Sequence, residues 1–257
     1  MPDPIRIDRD AIEYDVVIIG AVPSGLSCAI HLKQIDPDIN VCILEKGSEI
    51  GAHLLSGAVF EPRALEELFP DWRNMDDVPL NTPAGQDQFL FLTQSTAFKM
   101  PTPPQMKNHG NYIISLGELG KWLGTQAENL GVEVFPGFAA TEILYQDNKV
   151  IGVATGDMGI NAAGEKTDAF EPGMEIHARQ VVFAEGCHGS LTKQLIQHYN
   201  LRENSDPQTY ALGIKEVWEI DPKKFQSGKI IHTLGWPLDK QTYGGSWIYQ
   251  YGENLVS

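Results

Sequence analysis

The chain has 257 residues, with 19 Lys or Arg against 34 Asp or Glu and a formal net charge of -15 at pH 7. At 42% apolar residues it can fill one large or two modest cores, so a globular protein is expected. Because this charge would repel nucleic-acid phosphates, no nucleic-acid partner is expected.

Cysteine spacing and hydropathy indicate which metal sites, redox compartment and membrane contacts to expect. The three cysteines, Cys28, Cys42 and Cys187, are far apart and lack the Cys-x-x-Cys spacing of zinc or iron-sulfur sites, so none is predicted to bind a metal. They are expected to act as small buried apolar residues. An odd cysteine count without a secretory segment indicates a reducing compartment. No apolar stretch approaches the roughly 18 residues that span a bilayer, so any membrane contact is expected to be peripheral.

A nucleotide-binding βαβ unit is predicted first along the chain. Residues 15–19 form a short β-branched apolar run, typical of a buried parallel strand. A tight turn follows at once, and helical spacing then continues through about Gln34. A second buried strand at 41–44 leads into Glu45, twenty positions after Gly25, a spacing that suits an acidic residue on an adenosine ribose.

The turn itself predicts a pyrophosphate site, because free amides and the dipole at a helix N-terminus favour negative charge. Val22 stands where the usual G-x-G-x-x-G has its second glycine, and a branched side chain there could exclude, shift or weaken the ligand. Glycine turns also occur in α/β proteins that bind no nucleotide. The predicted cofactor-binding residues of the turn are Gly20, Ala21, Val22, Pro23, Ser24 and Gly25.

The middle of the chain predicts more sheet and helix. An amphipathic helix is predicted from Phe60 to Trp72, and such an apolar stripe ordinarily packs on a core. A helical stripe at 116–130, a strand at 132–134 and a hairpin at 143–153 follow. A strand at 180–184 and a helix at 191–199 return the chain to the first sheet.

The last part predicts a second domain. Residues 210–220 alternate like a strand, and 244–249 resemble another. Gly244 and Gly245 would allow a flat ligand to approach the backbone, although a β-bulge or tight turn explains them equally well. His188 has no sequence-adjacent partner and is interpreted as an exposed loop histidine, so no catalytic residue is assigned.

Ordered sequence blocks carry a family resemblance. They are 44–58 (LEKGSEIGAHLLSGA), 67–72 (ELFPDW), 108–113 (NHGNYI), 152–159 (GVATGDMG), 183–194 (FAEGCHGSLTKQ), 235–239 (GWPLD) and 242–246 (TYGGS). In this order they resemble the electron transfer flavoprotein-ubiquinone oxidoreductase family. The family carries FAD and a 4Fe-4S cluster on a membrane surface and passes electrons from reduced electron transfer flavoprotein to ubiquinone.

The resemblance implies roles for individual segments. The expected fold class is α/β, a glutathione-reductase-like FAD-binding βαβ fold with a parallel sheet and an inserted, mainly antiparallel quinone-binding domain, incomplete at the carboxyl end. Gly244 and Gly245 would bind the quinone, and residues 60–72 would contact the membrane. Beside the turn, the expected FAD-binding residues are Glu45, Lys46, Gly57, Glu185 and Gly186.

Domains, location and completeness are expected from the same family. The FAD-binding domain is expected at 11–60 and 108–200, and the membrane and quinone region at 61–107 and 201–257. Family members are about twice this length, with the cluster cysteines near the carboxyl end, so the chain is interpreted as truncated. The short leader favours the cytoplasmic face of a bacterial inner membrane over the mitochondrial inner membrane of eukaryotic relatives.

Two other interpretations stay open. The chain could be another FAD-dependent reductase or hydroxylase on the same scaffold. It could also be a non-catalytic fragment that binds a membrane or a partner without flavin. Because the flavin carries the electrons in this chemistry, none of these interpretations needs a side chain acting as acid, base or nucleophile.

Overall fold

A computed structural model of the protein describes residues 9–161 and 163–257, so the expectation about the leader lies outside the described residues. The helices are α1 (Pro23–Ile35), α2 (Arg63–Leu68), α3 (Leu116–Asn129) and α4 (Ser190–His198). Short 3₁₀ turns lie at Trp72–Asn74, Pro104–Met106 and Pro222–Lys224. The strands are β1 (Ala11–Ile19), β2 (Val41–Glu45), β3 (Ala58–Phe60), β4 (Asp87–Leu92), β5 (Ala97–Met100), β6 (Tyr112–Ile114), β7 (Glu133–Pro136), β8 (Ala140–Gln146), β9 (Lys149–Thr155), β10 (Met158–Ile160), β11 (Lys166–Glu171), β12 (Glu175–Phe183), β13 (Trp218–Glu219), β14 (Ile230–Gly235), β15 (Ser246–Tyr251) and β16 (Leu255–Val256).

The first of two compact units contains the described residues up to His53 together with Leu123–Thr209. Its six-stranded sheet has the order β7-β2-β1-β12-β9-β8. The first four strands are mutually parallel, whereas β9 and β8 are antiparallel additions. A separate antiparallel pair, β10 and β11, lies in the same unit. The predicted α/β class with parallel strands and an antiparallel piece is therefore confirmed.

The core of the first unit follows from its sequence. The second half of β1 and all of β2 are almost wholly buried, as the continuous apolar runs predict. Cys42 is buried within this core, and burial raises the pKa of its thiol to about 12. Cys187, by contrast, is exposed, so the expectation of a buried apolar role was wrong for that cysteine.

The second unit contains Leu54–Trp122 and Tyr210–Ser257. Its six-stranded sheet has the order β13-β16-β15-β14-β4-β5, and only the β14–β4 pair among these is parallel. A two-stranded antiparallel pair joins β3 to β6. One cluster of its buried residues consists of Ala84, Ile113, Ile230 and Tyr251.

The predicted helix from Phe60 to Trp72 was wrong in extent. Phe60 ends β3, only Arg63–Leu68 is helical, and Trp72 begins a 3₁₀ turn. Trp72 is 4% exposed and meets Tyr112 edge to face at 5.8 Å, while Phe69 meets Trp122 at 5.4 Å. The apolar stripe serves internal packing here, so Trp72 does not offer its ring to a lipid headgroup.

The predicted strand at 210–220 was also mostly wrong. Only Trp218–Glu219 forms a strand, paired with β16. Leu212 and Ile214 lie 98% and 83% exposed before it. Alternating apolar residues specify a strand only when a sheet edge is available to pair with them, and within the described residues these have none.

Candidate functional site

The turn between β1 and α1 is fixed by two glycines. Gly20 has a φ of 108°, and a Cβ on it would lie 2.5 Å from the carbonyl oxygen of Ala184. A Cβ on Gly25 would lie 2.2 Å from the oxygen of Gly20. Both positions therefore exclude a side chain by contacts within this unit, which explains the first and last glycines of the motif.

Val22 occupies the helix cap without backbone strain. Its φ of -102° and ψ of 168° are ordinary extended values, and its carbonyl accepts the first helical hydrogen bond from the Leu26 amide at 2.9 Å. Valine in place of the motif's second glycine therefore introduces no backbone strain. Any effect of Val22 must arise from the volume of its side chain near a ligand.

Glu45 closes the turn from the neighbouring strand. Its buried carboxylate accepts hydrogen bonds from the amide of Ala21 at 2.9 Å and from the amide of Gly47 at 2.7 Å. Charge-assisted bonds of this kind hold the carboxylate in place. Sequence reasoning found Glu45 but missed Gly47, whose position two residues after a strand-terminal acid was the available signal.

The start of α1 fits an anionic group. Pro23 has no amide hydrogen, and the helical ladder begins at Leu26, so the amides of Ser24 and Gly25 stay outside it. The first turn contains no acidic residue. Donors at a helix N-terminus without a neighbouring capping acid are the arrangement that suits a phosphate.

The second predicted FAD-contacting segment has a different structural use. The carboxylate of Glu185 accepts bonds from the amides of Ser190, Leu191 and Thr192 at 3.0, 3.1 and 2.7 Å. It thereby caps α4. Gly186 follows with a φ of 78°, so the segment turns sharply at the end of β12. A cofactor role for Glu185 and Gly186 stays a prediction.

Two further predicted residues differ in environment. Lys46 is exposed after β2. Gly57 belongs to the second unit, where it has a φ of 70° and a Cβ would lie 2.2 Å from the Cβ of Ser257. Its conformation and its close neighbour account for the glycine without a ligand.

The glycine pair of the second unit is asymmetric. A Cβ on Gly245 would lie 2.1 Å from the carbonyl oxygen of Thr233 in β14. A Cβ on Gly244 would meet only the flexible end of Leu238, at 3.0 Å. Close packing against β14 therefore requires a glycine at position 245, whereas at position 244 a small side chain would displace only the end of Leu238.

Three polar side chains of the second unit, Asp87, His232 and Tyr249, lie on the adjacent strands β4, β14 and β15. His232 Nε2 lies 2.9 Å from the hydroxyl of Tyr249, and Asp87 accepts two bonds from Asn108 at 2.9 and 2.7 Å. Burial lowers the pKa of His232, and the charge of Asp87 opposes that shift. Burial and the same charge raise the pKa of Tyr249. Sequence reasoning missed this group because strand register alone brings its members together.

Metal and membrane features are also defined for the described residues. Across 9–161 and 163–257, no group of three or more His, Cys, Asp or Glu side chains is placed to hold a metal ion. No helix in that part of the chain is long and apolar enough to cross a bilayer.

Solved structures define the class of fold. A geranylgeranyl bacteriochlorophyll reductase-like protein from Thermoplasma acidophilum matches with a TM-score of 0.62 at 16% identity, covering 96% of this chain and 55% of that one. A flavin-dependent brominase matches with a TM-score of 0.57 at 15% identity, covering 95% and 55%. The fold is that of FAD-dependent oxidoreductases and halogenases, and the Thi4 family model, matching residues 7–68, agrees with an FAD-binding βαβ unit.

Sequence relatives define the family. Mitochondrial electron transfer flavoprotein-ubiquinone oxidoreductases match at 55% identity in Dictyostelium discoideum, covering 97% of this chain, and at 52% in Bos taurus and 51% in Homo sapiens, covering 98%. The family model described as ETF-QO, ubiquinone-binding, matches residues 210–257. The chain belongs to this oxidoreductase family, and it spans 42% of the length of each of these relatives.

Proposed function

We propose that this chain forms part of an oxidoreductase that passes electrons from reduced electron transfer flavoprotein through FAD to ubiquinone. The observation that carries the proposal is the β1–α1 turn, where Gly20 and Gly25 clear the backbone and Glu45 closes the far side. It occurs in a chain 51% to 55% identical to named members of the family.

The residues of the first unit fit FAD. The amides of Ser24 and Gly25 would take the pyrophosphate, and Glu45 would take a ribose hydroxyl while keeping its backbone contacts. Gly20, Ala21, Val22 and Pro23 are assigned from the same turn motif, whereas the assignments of Lys46, Glu185, Gly186 and, in the second unit, Gly57 rest on the family resemblance. Bound FAD would supply the acceptance and release of electrons, and the chain would supply binding and orientation.

The quinone would bind at Gly244 and Gly245, within the segment that matches the ubiquinone-binding family model. Gly244 is the better candidate for direct contact, because packing on β14 already accounts for Gly245. On this proposal the first domain, 11–60 with 108–200, binds FAD and the second, 61–107 with 201–257, meets the quinone and the membrane.

Other family features are proposed for the longer protein. Only three cysteines are present in this sequence, fewer than a four-cysteine cluster needs, so 4Fe-4S ligands would come from elsewhere. Electron transfer flavoprotein would be the electron-donating partner. The protein would lie at the surface of a bacterial inner membrane or, as in relatives named as mitochondrial, in mitochondria at the surface of the inner membrane that the family resemblance implies.

Flavin retention tests the proposal directly. We expect the purified chain, refolded with excess FAD and passed over a desalting column, to keep the visible absorption of bound flavin. Decylubiquinone should also bind it, with weaker affinity in Gly244→Val than in a matched Gly213→Val control, because a Cβ on Gly213 meets nothing within 4 Å. A folded, colourless chain would favour the non-catalytic fragment.

A second candidate function keeps the flavin and changes the partner. A reductase or hydroxylase of the same scaffold is favoured by the fold alone. If the flavin-loaded chain takes electrons from a nicotinamide donor and ignores ubiquinone, this second function replaces the first.

A further inference from the structure

His232 is a titratable residue in the middle of the second unit's sheet. Ile230, His232 and Leu234 of β14 lie on one face, because alternate residues of a strand point to the same side. His232 pairs with Phe89 of β4 on one side and with Trp247 of β15 on the other. Phe89 is 9% exposed, whereas the imidazole is half-buried. His232 therefore lies where the buried part of this face meets the accessible part.

One nitrogen of the His232 ring is already engaged. Nε2 lies 2.9 Å from the hydroxyl of Tyr249, and the two rings meet edge to face with their centroids 5.5 Å apart. Within residues 9–161 and 163–257 no hydrogen bond engages Nδ1, and that atom is not sealed from solvent. A ring whose Nε2–H donates to Tyr249 titrates at Nδ1. The free nitrogen therefore carries a proton at low pH and a lone pair at high pH.

Strand register places His232 close to the glycine pair. Thr233 pairs with Ser246, so the preceding residue, Gly245, comes opposite Leu234. A Cβ on Gly245 would accordingly lie 3.2 Å from Leu234 Cδ2. Gly245 is thereby a diagonal neighbour of His232, and such neighbours lie about 7–8 Å apart in an antiparallel pair. The imidazole spans part of that distance, and a flat ligand over the glycines would span the rest.

Other charged or titratable groups surround His232. Asp87 of β4 and Tyr249 of β15 lie on the neighbouring strands, and the ammonium of Lys215 lies 5.8 Å from the ring centroid of Trp247. Burial lowers the pKa of His232, with the charge of Asp87 opposing, and it also lowers the pKa of Lys215. Burial and the charge of Asp87 raise the pKa of Tyr249. His232 is the member of this set whose ordinary pKa puts its charge change between about pH 5 and pH 8.

We propose that His232 protonates one ring oxygen of a quinone bound at Gly244 and Gly245. This inference rests on the proposed function, which supplies two electrons, and a quinone that accepts them also takes up two protons. The Nδ1–H bond of the imidazolium breaks, an O–H bond forms on the quinone, and the neutral imidazole then accepts a hydrogen bond from that hydroxyl. Solvent supplies the second proton and later restores the proton on Nδ1. Tyr249 keeps Nε2 engaged, so Nδ1 remains the atom that exchanges the proton.

Opposite pH dependences for the two redox forms of the quinone test this step. Decylubiquinone and decylubiquinol are titrated anaerobically into the unaltered chain at about pH 5 and about pH 8, with binding measured by quenching of tryptophan fluorescence. The protonated ring donates to a quinone carbonyl, so decylubiquinone should bind at least about threefold more tightly at the lower pH. The neutral ring accepts from a quinol hydroxyl, so decylubiquinol should bind at least about threefold more weakly at the lower pH.

The test variant is His232→Asn, whose amide keeps a hydrogen-bond donor near the Nδ1 position but does not titrate. We expect both pH dependences to disappear, while decylubiquinone binds at about pH 8 no more weakly than to the unaltered chain. A purely structural role would instead weaken binding at every pH. His177→Asn is the matched control, since the His177 side chain is 31% exposed in the first unit and its loss should leave both dependences intact. His232→Gln is the second variant if His232→Asn fails to fold by circular dichroism.

The outcomes separate the two proposals. Affinities that do not change with pH, or that change in the same direction for both redox forms, overturn the protonation role and leave the quinone site standing. A pH dependence that survives in a folded His232 variant overturns it equally, because another group such as Asp87 or Lys215 then titrates. If the folded chain binds neither redox form, the proposed quinone site itself is contradicted.

Discussion

The β1–α1 turn and the second unit's sheet are built on different principles. At the turn, each unusual residue is explained by a neighbour in the same unit: Gly20 by Ala184, Gly25 by Gly20, and Glu45 by the amides it accepts. In the second sheet, the residues around Gly244 remain open, and apolar side chains are exposed. The first site is organised by contacts within its own unit, whereas among the described residues, its chain neighbours apart, only the side chain of Leu238 lies within 4 Å of a Cβ built on Gly244.

The self-contained character of the turn predicts the largest effect. Gly25→Ala should lower the free energy of unfolding by about 1–3 kcal/mol, because its Cβ would lie 2.2 Å from a carbonyl oxygen inside a packed turn. Urea unfolding measures the change. Gly213→Ala, with open space around its Cβ, should shift it by no more than about 0.5 kcal/mol. Equal urea midpoints for the two variants would show that the turn is not closely packed around Gly25.

Glu45→Gln should have a similar or slightly smaller effect. An amide group can satisfy only one of the two donors at Ala21 and Gly47, and the other would face an NH₂ group in a buried position. We expect a loss of about 1–3 kcal/mol in unfolding free energy, together with weaker FAD binding. Glu49→Gln, on an exposed position in the same loop, serves as the control. Unchanged stability would mean that the carboxylate does not organise the turn.

Val22→Gly tests the same turn, and here we expect ligand binding to become tighter. Since the backbone of Val22 is unstrained, its removal should relieve only crowding of a ligand, and FAD should bind about three- to tenfold more tightly. Fluorescence titration of FAD measures this. Equal affinity in both forms would show that the valine side chain does not face the pyrophosphate.

His232 gives the smallest expected effect and tests the second unit. Burial lowers its folded pKa below the ordinary value, so the unfolded state binds more protons and stability falls as the pH drops below about 6.5. Well above that pH the ring is neutral in both states and contributes no pH dependence. His232→Gln should flatten this part of the pH profile in urea unfolding, while Asp87 and Tyr249 remain as neighbours. A profile with unchanged slope would contradict the shift.

Sequence patterns predicted the first unit better than the second for a physical reason. The continuous apolar run of β2 is buried between two parallel neighbours, so one pattern predicts both the strand and its burial. The alternation around Leu212 and the stripe ending at Trp72 predict an element but not where it stops, and their structures differed from expectation. Glu45 could be found by spacing, but the capping role of Glu185 and the neighbours of Gly245 required coordinates.

The capping of α4 by Glu185 also affects how the first sheet presents charge. Two helices, α1 and α4, begin directly after parallel strands of this sheet. At α4 a carboxylate already accepts three amides and offsets the positive end of the helix. At α1 the amides of Ser24 and Gly25 have no such acid in the first turn. The start of α1 therefore favours an approaching anion more than the start of α4 does, because the Glu185 carboxylate already offsets the helix dipole at α4.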